Sequence, residues 1–182
     1  MVWALLNQDH AVATEEISLF EASDRVAAII GGAMLDDALR KALEVRFRPK
    51  DGNTDMNDKL FRIGGPLGNA GPKVDLAYQL YMLDKDARNT MHRISEVRNF
   101  FAHNLRMSFH STSEKLSKSL DKLTLHKGKT KYPHPFTRKD SEYDIEPIRS
   151  AKDKFITNLK LCLIYLMMDR DIHLPYSCVP KT

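Results

Sequence analysis

Cysteine is scarce: Cys162 and Cys178 are the only two among 182 residues. Two are too few for a disulfide framework. Cys162 sits in an apolar run and reads as a buried thiol, so a reducing, cytoplasmic setting is expected. Long hydrophobic runs are missing too. The most apolar stretch, "LKLCLIYLMM" at 159–168, has Lys160 inside it and falls well short of the roughly 20 residues that span a bilayer. There is no basic start followed by an apolar segment and a small-residue cleavage site, so neither a secretory signal nor a membrane partner is expected. No stretch sustains the alternation of a strand. The histidines lack metal-ligand spacing: the pairs His103/His110 and His126/His134 have no cysteine or carboxylate in a recognised pattern. No metal and no other cofactor is expected.

What is present is an ordinary globular balance, 42% hydrophobic and 29% charged, in a chain of a length that suits one domain. Charge is unevenly spread. Residues 1–40 hold seven acidic side chains against two basic ones, whereas residues 105–139 hold nine basic against two acidic. Such a basic stretch is either a solvated loop or a contact for an anionic partner. Lys127, Lys129, Lys131, Tyr132 and Arg138 are its candidate nucleic-acid-binding residues. Tyr132 is one of the aromatic side chains that could stack on unpaired bases.

Helical periodicity dominates the rest. In "SDRVAAIIGGAMLDDALRKALEVRF", Val26, Ile29, Ile30, Ala33, Leu35, Leu39, Leu43 and Phe47 recur at helical spacing. Ser23 is a plausible N-cap with Asp24 in the first turn, and an upstream helix at about 13–22 would lead into it. Gly31-Gly32 in mid-pattern costs helix propensity and signals close helix packing or a kink. Residues 55–72, with four glycines and two prolines, read as an irregular connector. The window 73–83 places Val74, Ala77, Leu80 and Tyr81 on one face. The window 86–103 points Met91, Ile94, Val97, Phe101 and Thr90 inward. A weaker amphipathic helix covers 112–123, and a long one runs from about 146 to 169 with Pro147 in its first turn. The predicted fold is all-α: an antiparallel multi-helix bundle without a helix-turn-helix. It forms a single domain over 1–182, with a loose N-terminal tail at 1–12, a basic loop at 124–144 and a C-terminal tail at 172–182.

The chemistry concentrates in "RNFFAH", residues 98–103. On an ideal helix Arg98 and His103 are separated by about 140° and roughly 7.5 Å of rise, so they do not share a face by default. They converge if the arginine curls forward or the helix ends at His103. Asn104 suits that ending, because asparagine tolerates the left-handed conformation. Histidine can move a proton, arginine can match phosphate oxygens, and Asn99 can orient either. Arg98, Asn99 and His103 are thus candidate catalytic residues for metal-free RNA cleavage, with two copies of His103 across a two-fold axis as acid and base. The alternative is a brace. Arg98 would then pair with Glu96, Asp24 or Asp75, with Asp24, Arg25 and Asp75 as the structural brace. On either reading Arg98 and Asn99 are expected to be at least partly buried, with Arg98 contacting an acidic side chain.

"FEASDRVAAIIGGAMLDDALRKAL", "LFRIGGPLGNAGPKVDLAYQLYML" and "VRNFFAHN", in that order, resemble the mannitol-operon repressor (MltR) family over roughly residues 17–110. The more specific elements are Ser23-Asp24-Arg25, Pro66-Leu67, Asp75-Leu76-Ala77-Tyr78 and the hexad itself. The resemblance implies a helical regulatory protein that acts on transcription through protein partners. The hexad is also similar to the Arg-x4-His signature of the HEPN superfamily, helical dimers that include metal-independent endoribonucleases. That resemblance implies a homodimer and matches Arg98, Asn99 and His103 to the ribonuclease motif.

Overall fold

A computed structural model describes residues 19, 21–47, 55–126, 131–133, 142–144 and 148–172 of the chain. The described residues form six helices: α1 (Asp24–Glu44), α2 (Asp55–Phe61), α3 (Ala70–Gln79), α4 (Lys85–His103), α5 (Glu114–Asp121) and α6 (Ala151–Ile172). A two-stranded antiparallel ribbon joins β1 (Lys131–Pro133) to β2 (Glu142–Asp144), with Tyr132 opposite Tyr143. The all-α bundle expected from periodicity is the architecture. The ribbon falls where an extended loop was expected. Most of the expected upstream helix at 13–22, Pro147, Cys178 and both expected tails, apart from Ile172, lie outside the described residues; residues 19, 21 and 22 of that stretch are described and form no helix.

Helix α1 is the hub and packs on α6, α4 and α3. Ser23 caps it, its Oγ accepting the Val26 N–H at 3.4 Å. Its buried side is rich in small residues: Ala27, Ala28, Gly31, Gly32, Ala38 and Ala42 join Met34, Leu35, Leu39 and Leu43. Val26 and Ala33, expected inside, are exposed. The reason is close approach. A methyl on Gly31 would lie 2.6 Å from Leu159 Cδ2, and one on Gly32 would lie 2.5 Å from Arg98 Cγ. The glycine pair therefore sets how near α6 and α4 come to α1, as the close-packing reading requires.

Helix α6 is buried around much of its circumference, from Phe155 to Leu166, which is why it reads as an apolar run. Phe101, Phe109 and Phe155 stack in sequence, with ring centroids 4.8 Å and 5.4 Å apart. Buried Asn158 accepts the His126 N–H at 3.0 Å and donates to the Lys154 carbonyl at 2.8 Å, anchoring the start of the basic segment.

Three boundaries differ from expectation. Helix α6 begins at Ala151 and not at about 146, since residues 148–150 are not helical. Residues 55–61 are helical, because the glycines and prolines of the connector begin only at Gly64. Pro72 is tolerated in the first turn of α3, where an amide N–H has no helical partner. Helix α3 ends at Gln79, not 83. Tyr81 adopts φ +58° and its side chain is 94% exposed, while Leu80 is half-exposed. Met82 and Leu83 enter the core in their place. No helix among the described residues is long and apolar enough to cross a membrane.

Candidate functional site

Helix α4 carries the hexad. Asp84 caps its start, accepting the Ala87 N–H at 2.7 Å. Ala87, Thr90, Met91, Ile94, Val97 and Phe101 form its buried face, so the inward set expected from spacing is correct. The helix ends at His103, also as expected, but not through a left-handed residue. Asn104 has φ −126°, and both its backbone N–H and its side-chain Nδ2 donate to the Phe100 carbonyl, at 3.1 Å and 2.9 Å. The Asn104 side chain thus adds a second donor to a carbonyl already bonded to its own backbone N–H, and the chain leaves the helix extended with no left-handed turn.

The polar members of the hexad face outward. Val97 and Phe101 take the core positions, and Arg98 and Asn99 follow about 100° and 200° round the helix from Val97. Both are exposed, contrary to the partial burial expected of them. Arg98 contacts no acid among the described residues. Its Nη1 donates to Asn99 Oδ1 at 3.0 Å, while its aliphatic stem lies on Gly32. The stem packs while the guanidinium stays in water. His103 is exposed at the helix terminus.

These residues divide between two clefts. Arg98 and Asn99 line a cleft of about 630 Å³ with Gly32, Asp36, Arg40 and Lys73, among others. His103 lines a different one, of about 640 Å³, with Asn104, Arg106 and Ser111–Ser113. The cleft beside Arg98 largely neutralises itself. Buried Lys73 pairs with Asp36 at 2.7 Å, Arg40 with Glu44 at 2.9 Å, and Lys41 with Asp37 at 2.9 Å. One chain therefore does not bring Arg98 and His103 into one cleft.

Asp24, Arg25 and Asp75 hold helices together, but none of them touches Arg98. Asp24 Oδ2 accepts the Phe109 N–H at 2.9 Å. Arg25 donates from Nη1 to the Asn104 carbonyl at 3.0 Å and from Nη2 to the Ala102 carbonyl at 3.4 Å. The Ser-Asp-Arg triplet thus caps α1, closes the C-terminus of α4 and pins the loop that follows His103. Asp75 Oδ1 accepts from Arg88 Nη2 at 2.6 Å and Nε at 2.9 Å, and lies 3.0 Å from His92 Nε2. The hydrogen bonds from Arg88, then those from His92, hold the Asp75 carboxyl below its ordinary range. Periodicity gave no sign of Arg88, His92 or Arg106: each is a surface residue, and the partners of Arg88 and His92 come from folding.

Burial drives the Cys162 thiol well above its ordinary range, which makes it a packing residue without nucleophilic character. Among the described residues no group of three or more His, Cys, Asp or Glu side chains could hold a metal ion. Lys127, Lys129 and Arg138 lie outside the described residues, whereas Lys131 and Tyr132 belong to β1. Comparison of the chain with family models, with curated proteins and with solved structures gives no match.

Proposed function

We propose that this chain is a regulatory protein of the mannitol-operon repressor kind, acting on transcription through protein partners as a homodimer. The observation that carries the reading is the separation of Arg98 and His103 into two clefts, because a single chain then holds no assembled acid, base and cation. The motif elements behind the resemblance also have architectural work. Ser23-Asp24-Arg25 clamps the end of α4, and Asp75 clasps α3 to α4. Ile63, Tyr81 and Leu105 are exposed apolar side chains of the type that protein contacts use as anchors. Transcript profiling of cells lacking the chain tests the proposal. A defined set of transcripts should change, wild-type chain should restore it, and a folded Leu105→Asp variant should restore it less well. An unchanged transcript profile would end this reading.

A metal-independent endoribonuclease is the second reading, and one observation favours it. Arg98, Asn99 and His103 are all exposed and none is tied to a carboxylate, so they are free to meet a substrate or a second copy of the chain. Two His103 imidazoles across a two-fold axis would supply base and acid. Incubation with mixed RNA in EDTA separates the readings. Cleavage that disappears in His103→Ala at unchanged melting temperature supports the nuclease; intact RNA with a dimeric wild-type chain leaves the regulatory proposal alone.

A further inference from the structure

The cleft beside His103 is rich in donors and contains no carboxylate. It is lined by His103, Arg106, Ser111, Thr112 and Ser113, with Asn104, Leu105 and Met107 completing the wall. Among the described residues, the side chains of His103, Arg106 and Thr112 have no hydrogen-bonding or ion-pairing partner. The Ser113 hydroxyl makes no capping bond to α5. This sets the cleft apart from the one beside Arg98, where Lys73 and Arg40 already face their own carboxylates.

The cleft is also preformed. Ser111 Oγ accepts the Ser108 N–H at 2.9 Å, and the Ser111 N–H returns to the Ser108 carbonyl at 3.0 Å. The Phe109 N–H is held by Asp24, and the Phe109 ring is held between Phe101 and Phe155. Arg25 fixes the Asn104 carbonyl at the near edge. The loop carrying the donors is therefore tied to α1 and to the core, so a ligand need not supply all the free energy of ordering it.

We infer that this cleft binds a phosphate group, with Arg106 as its cation and His103 and the Ser111, Thr112 and Ser113 hydroxyls as further donors. The number of donors decides the class. A carboxylate offers two oxygens, whereas a phosphate offers three or four acceptors around one centre, enough for a planar guanidinium fork and several hydroxyls together. Arg106 stands where the sequence reading had placed Arg98: in the cleft that holds His103. The inference does not depend on cleavage, since holding a phosphate needs no proton transfer.

Two sources share this chemistry, a free mononucleotide and an RNA strand, and titration of the full chain distinguishes them. The probes are inorganic phosphate, adenosine 5′-monophosphate and a short single-stranded RNA with a 5′-hydroxyl, followed by NMR chemical shifts. The variants are Arg106→Ala, Thr112→Val and Lys85→Ala. Lys85 is an exposed cation at the opposite end of α4, so its removal controls for net charge. Arg106→Ala should weaken binding roughly tenfold or more and Thr112→Val by less, with Lys85→Ala unchanged. Binding of phosphate and mononucleotide identifies a small ligand, and binding of RNA alone identifies a strand; either result supports the site. The inference is overturned if no probe binds at millimolar concentration, or if Arg106→Ala and Lys85→Ala weaken binding equally. Matching thermal melts of wild type and variants exclude misfolding as the cause.

Discussion

Adding a methyl group at Gly31 probes the closest approach of α1 and α6. It would sit 2.6 Å from Leu159 Cδ2 and 3.4 Å from Phe155 Cε1. Both side chains are 0% exposed, so neither can yield into solvent. Overpacking of this kind costs about 1–3 kcal/mol, while replacing a mid-helix glycine by alanine recovers about 1 kcal/mol of helix propensity. Gly31→Ala should therefore destabilise by about 0–2 kcal/mol. Leu159→Ala alone should cost about 2–5 kcal/mol through lost burial and a cavity. In the double variant the new methyl enters the space the leucine leaves. The combined loss should fall short of the sum by about 1–3 kcal/mol, read from a double-mutant cycle in urea. Thermal melts give the same comparison at about 2–4 °C per kcal/mol for a chain of this size. Additivity within about 0.5 kcal/mol would refute the packing argument. At Gly32 the same reasoning gives a different outcome. There the obstruction includes Arg98 Cβ at 2.6 Å, which an Arg98→Ala variant retains. Gly32→Ala should thus resist rescue by Arg98→Ala.

Two further predictions concern the clamps. Arg25→Ala removes the donors to the Asn104 and Ala102 carbonyls and should cost about 1–3 kcal/mol. Hydrogen exchange at 104–109 should accelerate more than exchange in α6; uniform acceleration would show a global effect and no clamp. The Asp75 carboxyl, lowered by Arg88 and His92, stabilises the fold above the ordinary carboxylate pKa and loses that contribution as pH falls through its depressed folded value. Asp75→Asn should therefore lower stability at neutral pH and flatten the acid limb of the stability profile, as followed by urea melts across pH; an unchanged slope would rule out the linkage.

Much of the candidate site was legible in sequence, but not its arrangement. The buried face of α4, its end at His103 and the Ser23 cap follow from spacing and residue type, whereas Gly31-Gly32 suited close packing or a kink and only the structure shows the packing. Arg98 lies exposed although it adjoins buried Val97 in the chain. Adjacency in sequence is about 100° on a helix, enough to turn a side chain from core to water. The acidic partners proposed for Arg98 were misplaced for a related reason. Pairing of long charged side chains depends on which helix faces lie opposite one another, and no local pattern encodes that.

Local rules by themselves determined that this chain is helical and which stripe of α4 is buried. The amide that closes α4 is itself in the sequence, although its backbone angle was not foreseen. Tertiary structure alone decided that Asp24 and Arg25 reach 77 to 85 residues along the chain to hold the loop after His103. It also decided that Arg106 shares a cleft with His103 while Arg98 lines another. Periodicity reports the direction of a side chain relative to its own helix axis. The company that side chain keeps is set by helix crossings and by the loop between them, where the controlling contacts lie far apart in sequence.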